Sequence, residues 1–183
     1  KCLRDQLEDV AGQNSQPITI VAHSMGGPVS RAAIRYLDST TRDRISALYT
    51  LGSPHAGVKY GDVIAKLFPK ALYACVLQPG GCEVSETYMR AFNTMNPNVS
   101  EVDKYVFIGG DATPGIIGKL IKVLVGPNDG AVGRYSSIGW VYPTNNFSPW
   151  WWDDNSVLEQ YWTHEAHGTD LGGDSDTNNY YSE

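Results

Sequence analysis

Two rhythms of apolar and polar positions run along this chain: short β-rich apolar runs, and stretches with apolar residues at helical spacing. Residues 3–11 read as a helix that feeds an apolar strand at 17–22. Val29 to Leu37 carries apolar residues at helical spacing, and Pro28 just ahead fits a first helical turn, where its missing N–H costs nothing. A polar connection at 38–43 leads to a strand at 45–51 and a loop at 52–57. From 58 to 102 the pattern is mixed, with helical stretches at 60–67 and 83–94. An excursion of this length between two sheet strands is expected to be a cap or lid insertion. Residues 105–108 read as the next strand, 116–125 as an apolar helix and 126–130 as a turn cluster. An aromatic loop at 140–154 precedes a strand or helix at 157–163. No segment repeats. Strands separated by helices and long loops predict an α/β class with a mostly parallel sheet, organised as one domain over residues 1–183.

The junction between the first strand and its helix carries the clearest chemistry. Ile18-Thr19-Ile20-Val21-Ala22-His23-Ser24-Met25-Gly26-Gly27 fits the pattern small-x-Ser-x-Gly, a tight strand-to-helix turn that pushes a serine hydroxyl out of the backbone. Strand and helix come so close there that the positions two before and two after the serine must be small. Ala22 and Gly26 meet that demand, although Ala22 replaces the glycine of the strict pattern. Only one helix and one strand precede Ser24, which predicts that the sheet begins upstream, in about 60–100 residues, the size of two or three βα units. The N–H of Met25 would supply one oxyanion donor, and the second is expected from a loop in that upstream part.

Composition narrows the classes. The 42% hydrophobic content supports a real core, and a formal net charge of -6 argues against a nucleic-acid partner. No apolar run reaches the roughly 18 residues a membrane span needs. Arg4, Asp5, Glu8 and Asp9 interrupt the beginning, which therefore does not read as a signal peptide. Cys75 and Cys82 flank a turn-rich loop that would let them meet as a disulfide, leaving Cys2 over. That candidate disulfide, the eleven tyrosines and the low lysine content lean toward a secreted, extracellular protein.

A serine nucleophile needs a base to take its proton and an acid to orient that base. In folds with this elbow the chain order is serine, acid, histidine. His23 abuts the nucleophile and His55 precedes the acid candidates, which leaves His164 and His167. Gly168 favours His167, because it lets a loop turn there to present the ring. Asp111 directly follows the 105–108 strand, while Asp129 lies in Asn128-Asp129-Gly130, a turn that exposes a short carboxylate.

Three blocks in order resemble a known family. They are Ala22 to Gly27, Thr50-Leu51-Gly52-Ser53-Pro54-His55-Ala56-Gly57, and Gly126-Pro127-Asn128-Asp129-Gly130 continuing to Ser137. Together they look like the secreted bacterial triacylglycerol lipases and esterases of the α/β-hydrolase superfamily. The resemblance implies an α/β-hydrolase fold lacking its N-terminal strands, with Ser24 as nucleophile, Asp129 as acid, a late histidine as base and the Met25 N–H in the oxyanion hole. It implies cleavage of lipid esters through an acyl-enzyme, with no cofactor. Some such lipases hold calcium near the base; Asp170, Asp174 and Asp176 fit no calcium loop and read as a solvated acidic tail. Trp140, Tyr142, Phe147 and Trp150-Trp151-Trp152 offer an apolar rim for transient contact with a lipid interface. The rival classes are a non-catalytic lipid-binding module that kept the fold, and a hydrolase of polyesters, amides or thioesters.

Overall fold

The computed structural model describes residues 2–58, 84–112, 122, 126–129, 132–139 and 157–164. Their elements run α1 (Leu3–Gln13), β1 (Ile18–His23), α2 (Gly26–Arg35), α3 (Ser39–Arg42), β2 (Ile45–Leu51), α4 (Glu86–Met95), β3 (Lys104–Gly110), α5 (Arg134–Ser137) and β4 (Val157–Thr163). The four strands form a parallel sheet in the order β1-β2-β3-β4.

Strand order and burial follow from the side chains. The central strands β2 and β3 are buried along most of their length, including three consecutive residues Tyr105, Val106 and Phe107. Covering on both faces is what a parallel sheet requires of its inner strands. Of the outer two of these four strands, β1 alternates while β4 does not, and together they leave Val21, Val157, Tyr161 and Trp162 exposed. Register then aligns one row across the sheet, Ile20, Leu48, Tyr105 and Leu158, and a second row, Ala22, Thr50, Phe107 and Gln160. The apolar members of these rows join Leu7, Ala33, Ile34, Leu37, Val99 and Val102 in one core. The core therefore lies on the sheet face that α2 covers.

Strands β1 and β2 match the expected segments to within a residue, and β3 runs further than 105–108 at both ends. Residues 157–163 resolve as a strand. One short helix, α3, falls where a polar connection was expected. Asp38 caps α3 by accepting the Thr41 N–H at 2.9 Å and its hydroxyl at 2.7 Å, a local bond that nucleates a single turn. Helix α4 starts at the cap Ser85, whose hydroxyl accepts the Tyr88 N–H at 3.2 Å. Of the expected insertion at 58–102, residues 59–83 lie outside the described residues, as do the aromatic loop and, apart from Lys122, the expected helix at 116–125. The described return segment packs inward: Val99 and Val102 join the core, and Tyr105 Oη donates to the Val99 carbonyl at 3.2 Å. Among the described residues no helix is long and apolar enough to cross a membrane.

Leu48 is 0% exposed at the centre of the first row. Leu48→Ala is expected to cost about 2–5 kcal/mol in urea unfolding. Tyr36→Ala, at an exposed position after α2, is expected to stay within about 0.5 kcal/mol of the parent.

Candidate active site

Ser24 has φ 52°, the one positive value among the described non-glycine residues. An L-residue with a side chain is strained there and stays only where its surroundings fix it. Two backbone bonds do so on either side of the turn. The Ser24 N–H donates to Leu51 O at 2.9 Å, and Gly27 N–H donates to Ser24 O at 3.1 Å. Helix α2 then starts so close to β1 that a methyl group on Gly26 would already touch Ala22 Cβ at 3.5 Å. Met25 is the N-cap of α2. Its N–H belongs to the donors that a helix start leaves without an internal acceptor, at the positive end of the helix dipole. A serine and the N–H of a helix start thus meet at the carboxyl edge of the sheet, where open α/β sheets bind ligands.

Beneath the elbow lies a buried polar cluster. A Cβ on Gly27 would overlap Ser53 Oγ, lie 2.6 Å from Ser53 Cβ and come within 3.2 Å of His55 Cε1. Ser53 and His55 are both 0% exposed. The His55 ring stacks on Phe107 with centroids 3.9 Å apart, and its Nε2 lies 2.8 Å from Thr50 Oγ1. Burial, with a smaller contribution from the Arg31 charge, holds the His55 imidazole well below its ordinary pKa, so the ring is neutral. Asn93 Nδ2 donates to the His55 carbonyl at 2.8 Å. Arg31 of α2 donates to Asn93 Oδ1 at 2.8 Å and to Asn96 O at 2.7 Å, with Phe92 under its guanidinium. Burial lowers the Arg31 pKa to about 9, which still leaves it charged at neutral pH. His55 lies in the loop expected at 52–57, and its complete burial is what the local sequence does not show. The second glycine of Gly26-Gly27, beyond what the elbow pattern demands, was the signal for a close neighbour at that point.

The candidate acids sit differently. Asp129 is 1% exposed in a turn closed by the Asp129 N–H to Val132 O at 3.1 Å, and its Oδ1 accepts the Val132 N–H at 2.7 Å. This turn runs into α5, which packs against Gly109 at the end of β3 and reaches the 52–57 loop through Ala56 N–H to Ser136 Oγ at 3.2 Å. Asp111 follows β3 directly. One of its oxygens lies 2.8 Å from His164 Nδ1, and the other accepts Arg134 Nη1 at 2.9 Å. His164 is the first residue past β4, with a side chain 87% exposed. His167 lies outside the described residues, as do Cys75, Cys82, Asp170, Asp174 and Asp176. Among the described residues no three His, Cys, Asp or Glu side chains gather as a metal site.

The parallel sheet, the covering helices and the serine elbow define an α/β-hydrolase fold. Residues 2–70 match the family model of the PGAP1-like alpha/beta domain. In fold the chain is similar to the mature form of Bacillus licheniformis lipase BlEst2, with a TM-score of 0.64 at 19% identity, covering 93% of this chain and 66% of that one. It is also similar to Staphylococcus hyicus lipase, with a TM-score of 0.55 at 14% identity, over 90% of this chain and 67% of that one. A third similar structure is the metagenomic carboxyl esterase MGS0156, with a TM-score of 0.56 at 16% identity over 90% of this chain and 50% of that one. The chain therefore spans between half and two thirds of these proteins' lengths. No curated protein sequence matches it.

The buried neutral His55 makes stability pH-dependent. In the unfolded chain His55 takes a proton near its ordinary value of 6.5, whereas the folded protein excludes it. Its contribution is thus fully present above that pH and is lost as pH falls toward the depressed folded value. Between pH 7.5 and 5.5 the parent should lose about 1.4 kcal/mol more stability than His55→Gln, measured by urea unfolding at both pH values.

Proposed function

We propose that this chain carries the catalytic centre of a serine hydrolase acting on carboxylic esters of lipids. The observation that carries the reading is the strained Ser24 at φ 52°, held at the carboxyl edge of the sheet beside a helix N-terminus. Strain of this kind is kept where a side chain must be presented. In the proposed cycle Ser24 Oγ attacks the ester carbonyl carbon while His167 accepts the hydroxyl proton. Asp129 stabilises the resulting imidazolium, and the Met25 N–H binds the oxyanion. The tetrahedral intermediate collapses, and His167 returns the proton to the departing alcohol. Water then loses a proton to His167 and attacks the acyl-enzyme; as this second intermediate collapses, His167 returns that proton to Ser24 Oγ, releasing the carboxylic acid and restoring the serine.

Sheet geometry supports His167 over His164 as the base. Strands β1 and β4 are three spacings apart, about 14 Å at the usual separation. His164 leaves the end of β4 and is engaged with Asp111, the residue just past the adjacent strand β3. His167 lies four residues past Thr163, a reach of up to about 14 Å. The His164–Asp111 contact favours one rival assignment, in which that pair supplies base and acid. The fold of the similar lipases and esterase supports an ester substrate, and the aromatic segment 140–156 is the proposed contact with a lipid surface. The composition supports export from the cell.

Ser24→Ala in the full chain is expected to lower p-nitrophenyl ester turnover by on the order of 10⁴–10⁶-fold. Turnover at the parental rate would refute a serine mechanism. His167→Ala should be as inactive as Ser24→Ala, and His164→Ala should stay within about 10²-fold of the parent, the scale of a misplaced neighbour. The reverse ranking would establish the rival pair instead.

A further inference from the structure

We infer that Arg31, Asn93 and His55 form a closed clamp that holds the serine elbow in shape, which makes them positioning residues for Ser24; the inference rests on Ser24 being the nucleophile. The contacts start and end on α2. Arg31, on that helix, donates to Asn93 Oδ1 at 2.8 Å across 62 positions of sequence. Asn93 turns its other end to the His55 carbonyl, again at 2.8 Å. The His55 ring is fixed from below by Phe107 and from the side by Thr50 Oγ1. Its Cε1, together with Ser53, then fills the space over Gly27, back on α2 and three residues past the serine.

Every member of this circuit is buried: Arg31 is 2% exposed, Asn93 3% and His55 0%. Burying a guanidinium and an amide is costly unless their bonds are made. Asn93 is the junction, because its oxygen faces a cation while its NH₂ faces a carbonyl. A carboxylate can serve the first contact only, and an aliphatic side chain serves neither. Gly27 N–H is one of the two backbone donors that frame Ser24, and so the clamp acts on the turn where the strained φ is held. Helix α4 completes an elbow that the local sequence only begins.

The test uses the full chain and three variants. Asn93→Asp keeps the acceptor for Arg31 and removes the donor to His55. His55→Gln keeps a polar group for Thr50 and removes the stacked ring. Thr94→Ala, exposed on α4, is the control. The readouts are the rate of covalent labelling by a fluorophosphonate, kcat and KM on a p-nitrophenyl ester, and hydrogen exchange at the Ser24 and Gly27 amides. Both clamp variants should label on the order of 10-fold to 10²-fold more slowly, the cost of a misplaced reacting group. Their kcat should fall at unchanged KM, and both amides should exchange faster, while Thr94→Ala matches the parent. Should Asn93→Asp not fold, His55→Gln carries the test alone. Folded variants that label at the parental rate with unchanged amide exchange overturn the clamp, whatever their melting temperature. A parent that is not labelled overturns the nucleophile reading and the clamp together.

Discussion

A serine held at φ 52° costs on the order of 1–3 kcal/mol, and the surrounding structure is arranged so that the chain cannot relax out of it. The turn lets α2 begin directly over β1, and this approach sets the sizes of the neighbours. Ala22 and Gly26 are small because their Cβ positions nearly touch, and Gly27 is bare because Ser53 and His55 occupy its side-chain space. The same constraint explains why loop 52–57 is so deeply buried. Its first residues cover the underside of the elbow, and Leu51 O, just ahead of it, accepts the Ser24 N–H.

Topology brings the remaining parts to this point. The strand order follows the chain order, so successive right-handed crossovers place α2 and α4 on the same face of the sheet. They are then neighbours, and Arg31 can reach Asn93. Register continues the argument. Thr50 and Phe107 are paired across β2 and β3, so they stand side by side on that face and offer His55 a hydroxyl and a ring at once. The polar cluster is a consequence of the same row of residues that builds the apolar core.

What was legible in the sequence was local. The elbow shows in the spacing Ala22-x-Ser24-x-Gly26, and β2 and β3 show as apolar runs because buried parallel strands carry them on both faces. Helices α3 and α5, at four residues each, have too few positions to display a period. A cap residue such as Asp38 was the available sign of the first. The burial of His55 and its link to Arg31 depend on partners tens of residues away. A histidine in a Gly-Ser-Pro loop carries no periodic signal of burial. The pairing of Asp111 with His164 spans 53 positions and is equally invisible to a local reading.

The two acidic residues beyond β3 differ in environment, and that difference bears on their roles. Asp111 is shared: one oxygen faces His164 and the other a permanent cation, Arg134, at 2.9 Å. A positive imidazolium forming beside it would have to compete with that guanidinium for the same carboxylate. Arg134 also lies over the rings of Tyr135 and Trp162, so the cluster fastens α5 to the ends of β3 and β4. Asp129 is buried in a turn, and its Oδ1 accepts a backbone N–H, a neutral donor that fixes direction without adding opposing charge. In the proposed reading Asp129 therefore suits the developing cation of the base. Asp111 suits the anchoring of α5, the short helix whose Ser136 in turn holds the loop beneath the serine.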